Sequence, residues 1–284
     1  MEIIRVRGLD VGYGTTVVLR GLDFDVPKGG ITVIVGESGS GKSTLLKTLI
    51  GLLPPLQGEI SLAGERIDFR SERDLHKLYR RIGVLYQAGA LLNSLTLFEN
   101  IALPIRMHHR DWPREKTAGR VRDMLGRVGL HEHDDKYPFE LSGGMRKRAA
   151  LARAMVLDPD LIFCDEPSSG LDPLTSSGLD DLLNELRTVH GVTFVVVTHE
   201  LRSIARIADQ VLVIRDGSIL FAGTYADIPA CPDPYIQAEF KHACHGCEAI
   251  RQFQIRGWKP HRKNLRLVRE ELSRKRWHLL IVLM

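Results

Sequence analysis

Residues 36–44 set three glycines, a lysine and several hydroxyls where a chain could wrap an anion: Gly36, Glu37, Ser38, Gly39, Ser40, Gly41, Lys42, Ser43 and Thr44. The glycines free the backbone to turn its N–H groups inward. Lys42 can reach the β- and γ-phosphates of a nucleoside triphosphate, and Ser43 offers a hydroxyl to Mg²⁺. A glycine-rich stretch alone could be a flexible turn, but the full G-x(4)-G-K-S spacing is what a phosphate cradle requires. A second group, Asp165 and Glu166, places two carboxylates between the apolar run Leu161–Cys164 and Pro167. Such a pair on its own would open a solvated turn. With a cradle upstream, the two carboxylates take separate roles. Asp165 holds Mg²⁺ through water, and Glu166, pointing elsewhere, polarises the water that attacks the γ-phosphorus.

The elements that position these groups can be read around them. Ile31–Val35 is a β-branched run that predicts a buried strand, and Leu45, Leu46, Leu49, Leu52 and Leu53 recur at helical spacing after the loop. Leu161–Cys164 predicts a strand buried on both faces, as in parallel sheets, so Asp165 falls at the carboxyl edge where open α/β sheets bind ligands. Ser142, followed by two glycines and an alanine- and leucine-rich run, predicts an N-capped helix whose start is a second anion site. Val192–Thr198 predicts a strand that delivers His199, a residue that on spacing alone would as readily cap the next helix.

Taken in order, these residues resemble the ATP-binding cassette (ABC) ATPases over roughly residues 1–225. Gly36–Thr44 resembles the Walker A loop, Gln87 in "VLYQ" the Q-loop glutamine, Leu141–Met145 the signature and Leu161–Glu166 Walker B. Ser169–Asp172 resembles the D-loop, His199 in "VVVTHE" the switch histidine, and Tyr13 in "VGYG" the aromatic that stacks on adenine. The resemblance implies that Gln87 joins Ser43 and Asp165 around Mg²⁺ and that His199 contacts the γ-phosphate. It also implies that Ser142, Gly143, Gly144 and Asp172 meet ATP held by a second subunit. The implied fold is α/β, a P-loop NTPase with a RecA-like core. An antiparallel β subdomain comes from residues 1–30 and 58–70, and a helical subdomain is inserted at about 88–160. Within the insert, Trp112–Gly129 and Gly143–Leu157 are its clearest helices. One departure is Met145, where the family usually has Gln; it is peripheral to the phosphate contacts of Ser142 and Gly144.

Each motif occurs once, so the expected working unit is a C2 homodimer or a pair with a related subunit. "YQAGALLNSLTLFENIALPIR" together with "LSGGMRKR" further resembles the ATPases of the Mla/Mce-type lipid transporters. That branch implies a polytopic permease, an Mce-type substrate-binding protein and a phospholipid or other apolar cargo. Two alternatives stand beside it: the ATPase of another small-molecule transporter, and a non-transport cassette acting on ribosomes or nucleic acid. The second alternative usually carries two cassettes in one chain, so no nucleic-acid partner is expected. A purely structural nucleotide-binding module would be expected to lack Glu166 or His199.

At 284 residues and 44% hydrophobic content, the chain can bury a full core. Four cysteines do not make a disulfide framework. No run approaches the roughly 20 apolar residues that span a bilayer, and the N-terminus lacks a secretory pattern. The expected place is the cytoplasmic face of the inner membrane, as a peripheral subunit. The net charge of +4 hides an asymmetry, since residues 248–284 carry ten Lys/Arg against three Glu and leave the rest mildly acidic. The expected division is an ATP-binding domain at 1–228 and a C-terminal extension at 229–284 that contacts a subunit or the membrane, with Asp233–Phe240 at its start. A nucleic-acid arm is the other reading of this basic tail. His242, Cys244, His245 and Cys247 lie close enough to suggest Zn²⁺, though four ligands within six residues are cramped for a tetrahedral site and no second pair lies at finger-like spacing downstream.

Overall fold

The computed structural model describes residues 1–240. The tail motifs named above, including His242, Cys244, His245 and Cys247, lie outside the described residues. The first strands are β1 (Glu2–Tyr13), β2 (Thr16–Pro27) and β3 (Ile31–Val35); helix α1 (Lys42–Leu49), β4 (Gln57–Leu62) and β5 (Glu65–Arg66) follow. Next come α2 (Glu72–Arg81), β6 (Ile82–Leu85), α3 (Leu97–His108), α4 (Arg114–Arg127) and α5 (Gly143–Met155). The remainder is β7 (Leu161–Asp165), α6 (Pro173–His190), β8 (Thr193–Val197), α7 (Leu201–Ile207), β9 (Gln210–Arg215), β10 (Ser218–Gly223) and α8 (Pro234–Phe240).

Two sheets result. An antiparallel sheet runs β2-β1-β4-β5, and a six-stranded sheet runs β10-β9-β3-β8-β7-β6, parallel except where β10 returns along β9. The all-buried strands sit in the second sheet because both of its faces are covered. Ile31, Val33, Ile162, Cys164, Phe194 and Val196 pack toward the helices α3–α7, while Ile34, Leu161, Phe163, Val195 and Val197 pack toward α1 and the antiparallel sheet. A strand apolar at every position is the sequence signature of that two-sided burial.

Two details differ from the sequence expectations. Helix α1 stops at Leu49 rather than running through Leu53: Gly51 turns at φ +83°, and Leu52 is left 58% exposed. The insert contains α3, which periodicity did not single out because Pro104 lies inside it. A capping box starts that helix, with Thr96 Oγ1 accepting from Glu99 N at 3.2 Å and Glu99 Oε2 accepting from Thr96 N at 3.0 Å. The compact unit runs through Phe240, with Ile236 and Phe240 buried in the helix-side core.

Candidate active site

Four adjacent parallel strands, β3, β8, β7 and β6, deliver the chemistry at their carboxyl ends. β3 ends at Val35 and opens into the cradle, β8 ends just before Thr198 and His199, β7 ends in Asp165, and β6 leads to Gln87. Neighbouring registers keep these ends level, with Ile34 paired to Val197, Val197 to Asp165, and Cys164 to Leu85.

In the cradle, Gly41 takes φ +98° as the N-cap of α1, a left-handed geometry that glycine adopts without strain. A Cβ on Gly36 would lie 2.4 Å from the Ile214 carbonyl oxygen and 2.7 Å from Ser40 Oγ, so only glycine fits. Lys42 is buried, and its Nζ donates to the carbonyls of Gly36 and Glu37, both at 2.7 Å. Burial holds its ammonium below the usual lysine range, while Glu166 and then Asp165 pull in the opposite direction. Ser43 is exposed on the first turn of α1, and Thr44 is buried behind it.

Asp165 is half-buried, and burial, followed by the nearby Glu166, pushes its carboxyl above the usual range; Lys147, Lys47 and Lys42 oppose that shift. Glu166 occupies the left-handed region at φ +46°. Its N–H donates to Val197 O at 2.8 Å, and its carbonyl accepts from Ser169 N at 3.2 Å and from Lys147 Nζ at 3.3 Å. Its Oε1 lies 2.8 Å from His199 Nδ1. A carboxylate only accepts, so the proton of that bond resides on Nδ1. The Glu166 side chain is 15% exposed and that of His199 73%, which leaves the imidazole edge open. The N-cap of α7 is Glu200, so His199 is not spent on capping that helix.

Gln87 donates its Nε2 to Ser169 Oγ at 3.1 Å, which turns its amide oxygen toward other partners. Adjacent strand ends bring Lys42, Gln87, Asp165, Glu166 and His199 to one sheet edge, where Glu166 is bonded to His199 and electrostatically coupled to Lys42 and Asp165. Other expected residues have separate partners. Ser142 Oγ accepts from Met145 N at 3.2 Å and caps α5, which Gly143 and Gly144 begin. Asp172 accepts from Leu174 N and Thr175 N, both at 3.1 Å, and from Thr175 Oγ1 at 2.5 Å, so its carboxylate caps α6; these Thr175 bonds hold its pKa down. Tyr13 is half-exposed at the end of β1. Lys147 was missed by sequence reasoning. It sits in the charged run "MRKR", which reads as a solvated face; the signal lay in its spacing to the apolar Ala150 and Leu151 on one helix face.

The "ABC transporter" family model matches residues 19–169. The Escherichia coli K12 protein named intermembrane phospholipid transport system ATP-binding protein MlaF is 39% identical over 236 residues, covering 83% of this chain and 87% of that protein. The chain belongs to the ABC transporter family. Another ABC relative, the probable ribonucleotide transport ATP-binding protein mkl of Mycobacterium leprae, is 40% identical over 223 residues, or 77% of this chain; the match spans 63% of the relative's length. A solved ABC cassette, the dimeric post-hydrolysis state of MJ0796 bound to ADP and Pi, superimposes with a TM-score of 0.70 at 28% identity, covering 78% of this chain and 98% of that one. The fold is therefore that of the ABC ATPases, and the nucleotide is ATP. The cradle fits it: glycine contacts that exclude any side chain, a buried ammonium, and Ser40 Oγ buried without a hydrogen-bond partner among the described residues, as a loop awaiting an anion would hold them. Asp165, the Ser43 hydroxyl and the Gln87 amide oxygen are hard oxygen donors of the kind Mg²⁺ takes.

Proposed function

We propose that this chain powers an ABC transporter that moves phospholipid or another apolar molecule through a separate polytopic permease. It works as a homodimer at the cytoplasmic face of the inner membrane and partners an Mce-type substrate-binding protein. The observation that carries the ATPase half is the meeting of the cradle, the Asp165–Glu166 pair, Gln87 and His199 at one sheet edge. The lipid half is supported by the 39% identity to a relative named for intermembrane phospholipid transport. Among the described residues no helix is long and apolar enough to cross a membrane; in this reading a separate permease supplies the path.

Residues 36–44 hold the triphosphate, with Lys42 and the loop amides facing its charge. Tyr13 stacks on the adenine, and Ser142, Gly143, Gly144 and Asp172 serve the ATP held by the partner subunit. Ser43, Gln87 and Asp165 would hold Mg²⁺, which when bound neutralises phosphate charge. Glu166 accepts the hydrogen bond of the attacking water and orients it, acting as base or positioner. His199, fixed in plane by its Nδ1–H bond to Glu166, presents Nε2 to the γ-phosphate. Residues 1–228 carry this machinery, and 229–284 form an extension that contacts a subunit or the membrane.

The direct test is Glu166→Gln. ATP affinity should stay within a few-fold of wild type while hydrolysis falls by ~10²–10⁴-fold, as for loss of a general base. Wild-type turnover in that variant would overturn the mechanism. The cargo is tested by gentle-detergent capture from membranes with mass spectrometry of bound proteins and lipids. A permease, an Mce-type protein and phospholipid should co-purify. The likeness to the mycobacterial relative favours a second reading, a transporter of small polar molecules such as ribonucleotides, which a permease recovered without phospholipid would support.

A further inference from the structure

Helix α5 does more than present its N-terminus. Lys147, on its second turn, is only 5% exposed, and an ammonium so buried is costly unless its donors are used. Its Nζ donates to the backbone carbonyl of Gln87 and, at 3.3 Å, to that of Glu166. Further along the same helix, Arg153 donates from Nη1 to Ala90 O at 2.7 Å and from Nη2 to Gly89 O at 3.1 Å. The helix thus grips the loop after β6 at Gln87, Gly89 and Ala90, and Lys147 joins that loop to the turn carrying Glu166.

Glu166 needs such support. A non-glycine residue in the left-handed region is strained and persists only where its surroundings over-determine it. Here Val197 holds the N–H, while Ser169 and Lys147 hold the carbonyl. Charged donors make the stronger hydrogen bonds, and Lys147 is the charged member of this set. An uncharged side chain of similar length would leave the Gln87 carbonyl without this donor and the Glu166 carbonyl with the Ser169 N–H alone.

We propose that Lys147 is a positioning residue for hydrolysis: by bonding the Gln87 and Glu166 carbonyls together, it locks the carboxylate-bearing turn and the Q-loop to α5. A shift of the helix whose N-terminus faces an incoming anion is then passed directly to the group that directs water. This inference rests on Glu166 having the role given above.

The test uses the full 284-residue chain and Lys147→Met, which keeps the apolar stem and removes the donors. Its kcat should fall by ~10–100-fold, the scale of a slight misplacement of reacting groups. ATP affinity and KM should stay within about threefold. Lys147→Arg, which restores a charged donor, should recover most of the lost rate. A merely structural lysine would instead lower the melting temperature in proportion to activity, with no recovery by arginine, and that pattern overturns the proposal. If Lys147→Met does not fold, Lys147→Gln replaces it; with one shorter neutral donor it should lose about 3–10-fold in kcat, and a wild-type rate would overturn the proposal. Glu166→Gln is assayed alongside. If it hydrolyses ATP normally, the reading of Glu166 fails. If it is inactive while the Lys147 variants turn over at the wild-type rate, only the role of Lys147 fails.

Discussion

Asp180 on α6 is 4% exposed and accepts a 3.0 Å bond from Ser203 Oγ on α7, with Arg206 Nε 3.6 Å away. Burial pushes its carboxyl up to about 7, against the pull of Ser203 and Arg206; Glu200 and Asp181 add to the rise. The folded chain therefore keeps this proton to higher pH than the unfolded chain does. Stability conferred by the protonated form is fully present below the ordinary carboxylate range, declines as pH rises toward 7, and is level above it. Between pH 5 and pH 8 the wild type should lose about 2–3 kcal/mol relative to Asp180→Asn, at ~1.4 kcal/mol per unit. Denaturant unfolding across that range checks it, and parallel stability curves would refute it. At this scale the sequence was informative where chemistry is local. The cradle is contiguous, so spacing alone exposed it, and the adjacent carboxylates took their reading from the cradle upstream. Lys147 was hidden because its partners lie 60 and 19 residues away. Ser142 was legible as an N-cap from the run that follows it, whereas Asp172 revealed its capping role only once the start of α6 was placed.

Among the elements, α3 shows how a polar residue can organise a loop. Asn100 is fully buried. Its Oδ1 accepts from Leu92 N at 2.8 Å, and its Nδ2 donates to the carbonyls of Leu92 and Leu95 at 3.0 Å and Thr96 at 2.9 Å. Removing it leaves Leu92 N and Leu95 O without the partner it supplies, while Leu92 O and Thr96 O keep only their backbone donors. Asn100→Ala should therefore cost about 2–4 kcal/mol, read as a lower urea midpoint with unchanged slope. Strands β3 and β7 were legible because two-sided burial leaves an unbroken apolar run. Helix α3 was not, since Pro104 interrupts an otherwise helical spacing of Leu97, Ile101 and Ile105. The length of α1 was overestimated because Leu52 and Leu53 continue the leucine spacing past the Gly51 turn.

For the whole molecule, the roles proposed for Ser142, Gly143 and Gly144 and for Lys42, Asp165 and Glu166 belong to two different ATP sites, so in that reading each copy supplies half of each. ATP should bring Glu166→Gln into a dimer that light scattering detects, while the same variant with ADP stays monomeric; a monomer under saturating ATP would refute the paired arrangement. The antiparallel sheet and the helical insert were legible as segments. The strand order β10-β9-β3-β8-β7-β6 was not, because crossovers between parallel strands leave no local mark on sequence. That order also has a consequence during translation. The cradle strand pairs Ile31 with Phe194 and Thr32 with Gln210, so both of its neighbours are synthesised more than 160 residues later. At ~5–20 residues per second, the nascent apolar strand waits roughly ten to thirty seconds beside the ribosome. The β1–β2 hairpin can close long before then, so competence to grip ATP arrives only after β8 and β9 have been made.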